Sequence, residues 1–164
     1  MASKDDFDPE EWKQIASAPI IAAAIISASD DTGDDTESED EEIRVFRDSL
    51  IKLRKKYGKT LLVSDVIDAI ENEGTDEFDA LYAAIGGASS HESPLEARVQ
   101  SIAAVNEILE RVADKKEAGQ YRKFLIDAAT AVAAASKEGF FVFGSSISKK
   151  EDFYLRQIQS ALRM

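Results

Sequence analysis

Apolar residues recur along much of this chain at the alternating three- and four-residue spacing of an amphipathic helix. Ile43, Phe46, Leu50, Leu53 and Tyr57 follow it most closely and place one apolar stripe on a helix that ends at Gly58. Ser38 and Glu41, three positions apart, fit a capping box at its start. Asp8-Pro9-Glu10-Glu11 reads as a second start, with an N-cap, proline in the first helical position and acids in the first turn. Phe7 and Trp12 flank that start at the spacing of a hydrophobic staple. Pro19 is expected to break or restart this helix, because proline lacks an amide hydrogen and crowds the preceding turn. The run from Ile20 to Ser29 is apolar around most of its circumference, which marks a helix buried on several sides.

Further on, Thr60 to Asn72 and Thr75 to Ile85 read as two shorter helices, the second with Phe78, Leu81, Tyr82 and Ile85 on one side. Ser93, Pro94 and Glu96 begin another, whose core face is Leu95, Val99, Ile102, Leu109 and Val112. A helix from about Glu117 to Ser136 carries Tyr121, Phe124, Leu125, Ala128, Val132 and Ala135 on its apolar side. The last starts at Ser148 and buries Leu155, Ile158 and Leu162, with Tyr154 and Ala161 beside them. No stretch sustains period-two alternation, and the one short candidate is Phe140 to Phe143. The expected fold is all-α: a single-domain helical bundle of about seven helices over residues 1–164.

Two parts of the pattern recur. Ala28-Ser29-Asp30 leads to Gly33, a loop, Ser38 and Glu41; Ala135-Ser136 leads to Glu138, Gly139, a loop, Ser148 and Glu151. Each follows an apolar helix and precedes an amphipathic one, so the bundle is expected to be a pseudo-twofold repeat of helix-loop-helix units. Alanine at 22–24 and 128–135 leaves little side-chain bulk, which lets the two apolar helices approach closely.

Composition narrows the function. The net charge is −12, but the thirteen residues from Asp30 to Glu42 hold nine acids and no base, leaving −3 for everything else. The acidity is local. Such a surface repels phosphate backbones, which argues against nucleic acid, and favours cations or a basic partner. The one basic run, Lys52 to Lys56, lies near a helix C-terminus, where positive charge offsets the macrodipole. The absence of cysteine removes disulfides, thiolate nucleophiles and Cys-ligated zinc, and fits a reducing compartment. The acidic first residues are unlike a secretory signal. The longest nearly uncharged stretch, Gln14 to Ser29, is shorter than the roughly 20 apolar residues of a membrane span, so no membrane is expected.

Residues 30–42 form the richest cluster of candidate ligands. Calcium takes about six to eight oxygens, and several carboxylates on a loop between helices can supply them. Counted from Asp30, Glu41 falls at position twelve, with Thr32 and Asp34 at three and five. Position six is Asp35 where a calcium-binding EF-hand loop needs glycine, so the stretch is not an EF-hand. A solvated, mobile acidic loop is the other reading, since like charges in a run repel. Glu151 likewise has two readings: a second carboxylate site with Glu138, or the partner of Ser148 in a capping box. Phe140 to Phe143 either cover the end of the core or mark a surface for self-association. His91, the sole histidine, sits in a polar loop, and with no cysteine neither a Cys–His pair nor a multi-His metal site can be built. No nucleophile elbow or P-loop is present, and no enzyme is expected.

The order of apolar helix, Ala28, Asp30, Gly33, loop, Glu41 and amphipathic helix, met again as Ala135, Glu138, Gly139 and Glu151, resembles the tellurite-resistance TerB-like helical domain family. The resemblance covers both ends of the chain and leaves 58–115 aside. It implies an all-α pseudo-twofold bundle, cytoplasmic and non-enzymatic, connected with tellurite or other stress responses. It further implies a divalent cation held by acidic residues; from the loop itself calcium is the first candidate, with Asp30, Asp34 and Glu41 the expected ligands and Glu138 and Glu151 a second set.

Overall fold

A computed structural model describes residues 1–29, 36–72, 95–135 and 147–164, the side chains of 36–43, 72 and 135 left aside. Among these residues there are six α-helices and no strand: α1 (Pro9–Ser29), α2 (Thr36–Tyr57), α3 (Leu61–Asn72), α4 (Leu95–Val112), α5 (Lys115–Ala135) and α6 (Lys149–Ala161). A 3-10 turn, Lys4–Asp6, precedes them. The helix expected over 75–85 lies outside the described residues.

α1 is the centre of the bundle and packs against α3, α4, α5 and α6. Ile15, Ala18, Ile20, Ala22, Ile25 and Ile26 are fully enclosed, as the apolar circumference of this segment requires. Its start is the expected one. Asp8 Oδ1 accepts the amides of Glu10 and Glu11 at 3.0 and 2.9 Å, while the Glu11 carboxylate accepts the Asp8 amide at 3.2 Å. The Phe7 and Trp12 rings meet at 6.1 Å between centroids, closing the staple.

Pro19 does not end this helix: α1 runs unbroken through it, contrary to the expectation from sequence. Proline at 19 cannot donate to the carbonyl four residues back, that of Ile15. In the fold the hydroxyl of Tyr121, on α5, donates to that carbonyl at 2.5 Å. A side chain from the neighbouring helix thus takes the place of the missing amide, and the freed carbonyl stays satisfied in the core. Burial pushes the Tyr121 phenol far above the ordinary tyrosine range, which keeps the donor protonated.

The remaining helices bury the stripes their spacing specifies. Phe46, Leu50, Leu53 and Tyr57 of α2, Ile102 and Leu109 of α4, Tyr121, Phe124, Leu125, Ala128 and Val132 of α5, and Leu155 and Ile158 of α6 are all core residues. Val99, Val112, Tyr154 and Ala161 are partly buried at its margin. α2 begins at Thr36, so Ser38 stands in its first turn and not at the cap. α2 ends at Tyr57, and the next position requires glycine: a Cβ at Gly58 would lie 2.4 Å from the Arg54 carbonyl oxygen.

The basic residues at the end of α2 do more than complement its dipole. Arg54 reaches Asp68 and Glu71 of α3 at 2.7 and 2.9 Å. Lys56 and the Tyr57 hydroxyl both donate to Asp127 of α5 at 2.7 Å. α4 and α5 are joined by Arg122, which donates to the enclosed Asn106 at 2.8 Å and pairs with Glu110.

α5 begins two residues earlier than its apolar pattern indicates, because Asp114 caps it, accepting the amides of Lys116 and Glu117 at 2.9 Å. The Glu117 amide, and then that of Lys116, hold the Asp114 carboxyl below its ordinary value. A carboxyl whose folded value is depressed stabilises fully above the unfolded value, about pH 4, and loses that contribution as pH falls through the folded value. Asp114→Asn is therefore expected to flatten the fall in melting temperature between about pH 4 and pH 2 relative to the parent chain. Melts across that interval check it.

Candidate functional site

At the end of the bundle where α1 stops and α4 and α6 start, Ala28, Ser29, Leu95, Lys149, Lys150, Phe153 and Tyr154 line an open cavity of about 450 Å³. Each wall has a local cause. α1 arrives with its last residue still buried, the Ser29 hydroxyl donating to the Ile26 carbonyl at 2.7 Å. α6 starts in a complete capping box: Ser148 Oγ accepts the Glu151 amide at 3.1 Å and the Glu151 carboxylate accepts the Ser148 amide at 2.7 Å. That box fixes the first turn of α6 and with it Lys149 and Lys150. One turn on, Phe153 and Tyr154 meet edge to face at 5.1 Å. Tyr154 packs on the core margin, whereas Phe153 is 54% exposed, the outward aromatic of the pair.

Electrostatically this mouth carries two lysines on a helix N-terminus, the end at which the helix dipole already disfavours cations. Glu151 and Asp152 in the same turn offset them, and Asp152 also accepts from Arg156 at 3.0 Å. Such an arrangement is suited to holding negatively charged chain or ligand beside an apolar surface. The groups whose titration the fold displaces lie elsewhere. The bond from Lys56 to Asp127 raises the Lys56 ammonium, burial raises the Tyr57 phenol, and burial lowers the Arg98 guanidinium. None of them is among the described residues that line the cavity.

The residues singled out as ligands divide as follows. Asp30, Asp34 and Glu138 lie outside the described residues, as do His91 and Phe140 to Phe143. Glu41 belongs to α2, in its second turn, with its side chain outside the description. Glu151 is 1% exposed and engaged in the capping box. Among the described residues no group of three or more His, Asp or Glu is placed to hold a metal. Nor is any described helix long and apolar enough to cross a membrane.

Sequence reasoning did not find Lys149, Lys150 and Phe153. Their signal was present, a basic pair between the cap and the first core residue of α6 with an aromatic off the apolar stripe, but only the arrival of α1 and α4 makes them one surface. Comparison of the chain with protein-family models, with curated proteins and with solved structures finds no match.

Proposed function

We propose that the chain is a non-enzymatic helical-bundle protein of the TerB-like kind, with the stress-related role that likeness implies. In this reading it binds a divalent cation, calcium first, through Asp30, Asp34 and Glu41, with Glu138 from the second connection. One observation carries it: Ser29, which leads into Asp30, lines the same cavity as Lys149 and Lys150, which follow the second connection. The chain therefore leaves α1 and enters α6 at one place on the bundle. Glu151 enters the reading as the residue that fixes the start of α6 beside that place. The pairings of α1 with α5, α2 with α5 and α1 with α6 add support, because a dyad that exchanges α1 with α5 and α2 with α6 turns the second of these pairings into the third.

A cation that binds only the folded chain stabilises it by about 2.7 kcal/mol at a hundredfold excess over Kd. For a chain of this length that raises the melting temperature by about 5–10 °C. Calcium, magnesium or manganese is expected to produce such a shift over sodium at matched ionic strength, and Asp30→Asn with Glu41→Gln to remove it. Equal shifts from sodium would reduce the acidic stretch to general charge screening.

A second reading, a docking module with no metal, is favoured by the exposed Phe153 beside the lysine pair. It expects self-association that weakens in Phe153→Ala, or salt-sensitive binding of a basic protein by the acidic residues. Sedimentation over a range of protein and salt concentrations reads both.

A further inference from the structure

α2 carries opposite charge in its two halves. Residues 36–42 hold five acids and no base, and residues 52–56 hold four bases and no acid. Two of those bases are used within the bundle, Arg54 by Asp68 and Glu71 of α3 and Lys56 by Asp127 of α5. Lys52 and Lys55 are exposed, and no ion pair engages either among the described residues. Beside them Ile51 is an apolar side chain left 55% exposed.

These positions share one side of the helix. At about 3.6 residues per turn, positions 37, 40, 48, 51, 52 and 55 fall within about a third of the circumference. That side is opposite the stripe of Phe46, Leu50, Leu53 and Tyr57 that enters the core. It runs from an acidic first half, at Glu37 and Asp40, through Asp48 and Ile51 to a basic second half at Lys52 and Lys55. The helix dipole favours this order of charge on every side of α2, and on the outer side it yields a surface complementary to its own reverse.

A second copy of the chain presents that reverse. A twofold axis across the middle of α2 sets two copies of the helix antiparallel, with the acidic half of each along the basic half of the other, whereas a parallel pairing sets like charge on like. With the two 22-residue helices overlapped along nearly their whole length, position 37 stands opposite 55 and position 40 opposite 52. The twofold axis makes each pairing twice.

We propose that the outer face of α2 is the interface of a homodimer, in which Glu37 and Asp40 of each copy pair with Lys55 and Lys52 of the other and Ile51 is covered. The interface uses neither the proposed cation ligands Asp30, Asp34 and Glu41 nor Phe153, so it stands apart from both readings above.

Sedimentation equilibrium of the full chain at low and at high salt tests it. The parent chain is expected to dimerise at low salt, with a dissociation constant at least about tenfold higher at high salt, because exposed charge is screened. Lys52→Glu with Lys55→Glu makes both halves of the face acidic, and Glu37→Lys with Asp40→Lys makes both basic. Each reversed chain alone is expected to be monomeric, and an equimolar mixture of the two to form a heterodimer. Should a reversed chain fail to fold, Lys52→Gln with Lys55→Gln is expected to weaken the parent dimer at least about tenfold. Phe153→Ala and Asp30→Asn are expected to leave it unchanged. A parent chain that is monomeric at low salt, reversed chains that still self-associate, a mixture that gives no heterodimer, or a dimer lost in Phe153→Ala would overturn the proposal.

Discussion

Phe124→Ala is expected to cost about 3–5 kcal/mol, the loss typical of a buried phenylalanine truncated in a core that cannot collapse around it. Phe124 is fully enclosed on α5, and its ring lies 6.1 Å from both Tyr57 of α2 and Tyr121 of its own helix. The three rings fill the seam where α2 lies on α5, and neighbours held by the Tyr57–Asp127 and Tyr121–Ile15 hydrogen bonds are poorly able to move into the space. Measured against a typical total of about 5–15 kcal/mol, such a loss removes a large share of the stability. Urea unfolding should show a lower midpoint at unchanged slope. Phe153→Ala is the control, because a side chain 54% exposed should move stability by no more than about 0.5 kcal/mol.

Tyr121→Phe is expected to cost about 1–3 kcal/mol, although it deletes a single oxygen and keeps the ring. The size follows from what is left behind. The Ile15 carbonyl has no helical donor because position 19 is proline, and its replacement partner is the Tyr121 hydroxyl, enclosed with it in the core. Removing that hydroxyl strands a buried carbonyl. Tyr57→Phe should cost less, since Asp127 keeps Lys56 as a donor and is only partly buried. Thermal melts of the two variants side by side read the difference.

Both effects hinge on contacts between helices, and this is where the sequence is least legible. The stripes on α2, α4, α5 and α6 could be read from spacing, because a helix buries what its period places on one side. The caps at Asp8 and Ser148 could be read because their partners lie within three residues. Pro19 was misread for the opposite reason: the rule that proline breaks a helix concerns local hydrogen bonding, and the compensating donor, Tyr121, lies 102 positions away. Glu117 escaped notice in the same way, since a glutamate in a first turn is unremarkable until Ala2 is found against it. Of the candidate site, the cap role of Glu151 was legible. The joining of Ser29 to Lys149, Lys150 and Phe153 was not, because it depends on how α1, α4 and α6 end together. Asp30, Asp34 and Glu138, on which the proposed cation site rests, lie outside the described residues.

The architecture depends on α1 remaining one continuous central helix through Pro19. A double-mutant cycle of Pro19→Ala and Tyr121→Phe, read by equilibrium unfolding, tests that dependence directly. With alanine at 19 the amide is restored and can donate to Ile15, so Tyr121→Phe should cost less than half of what it costs in the parent chain. An equal loss in the two backgrounds would contradict the account, because the hydroxyl would then stabilise the core for some reason other than the hydrogen bond that proline removes.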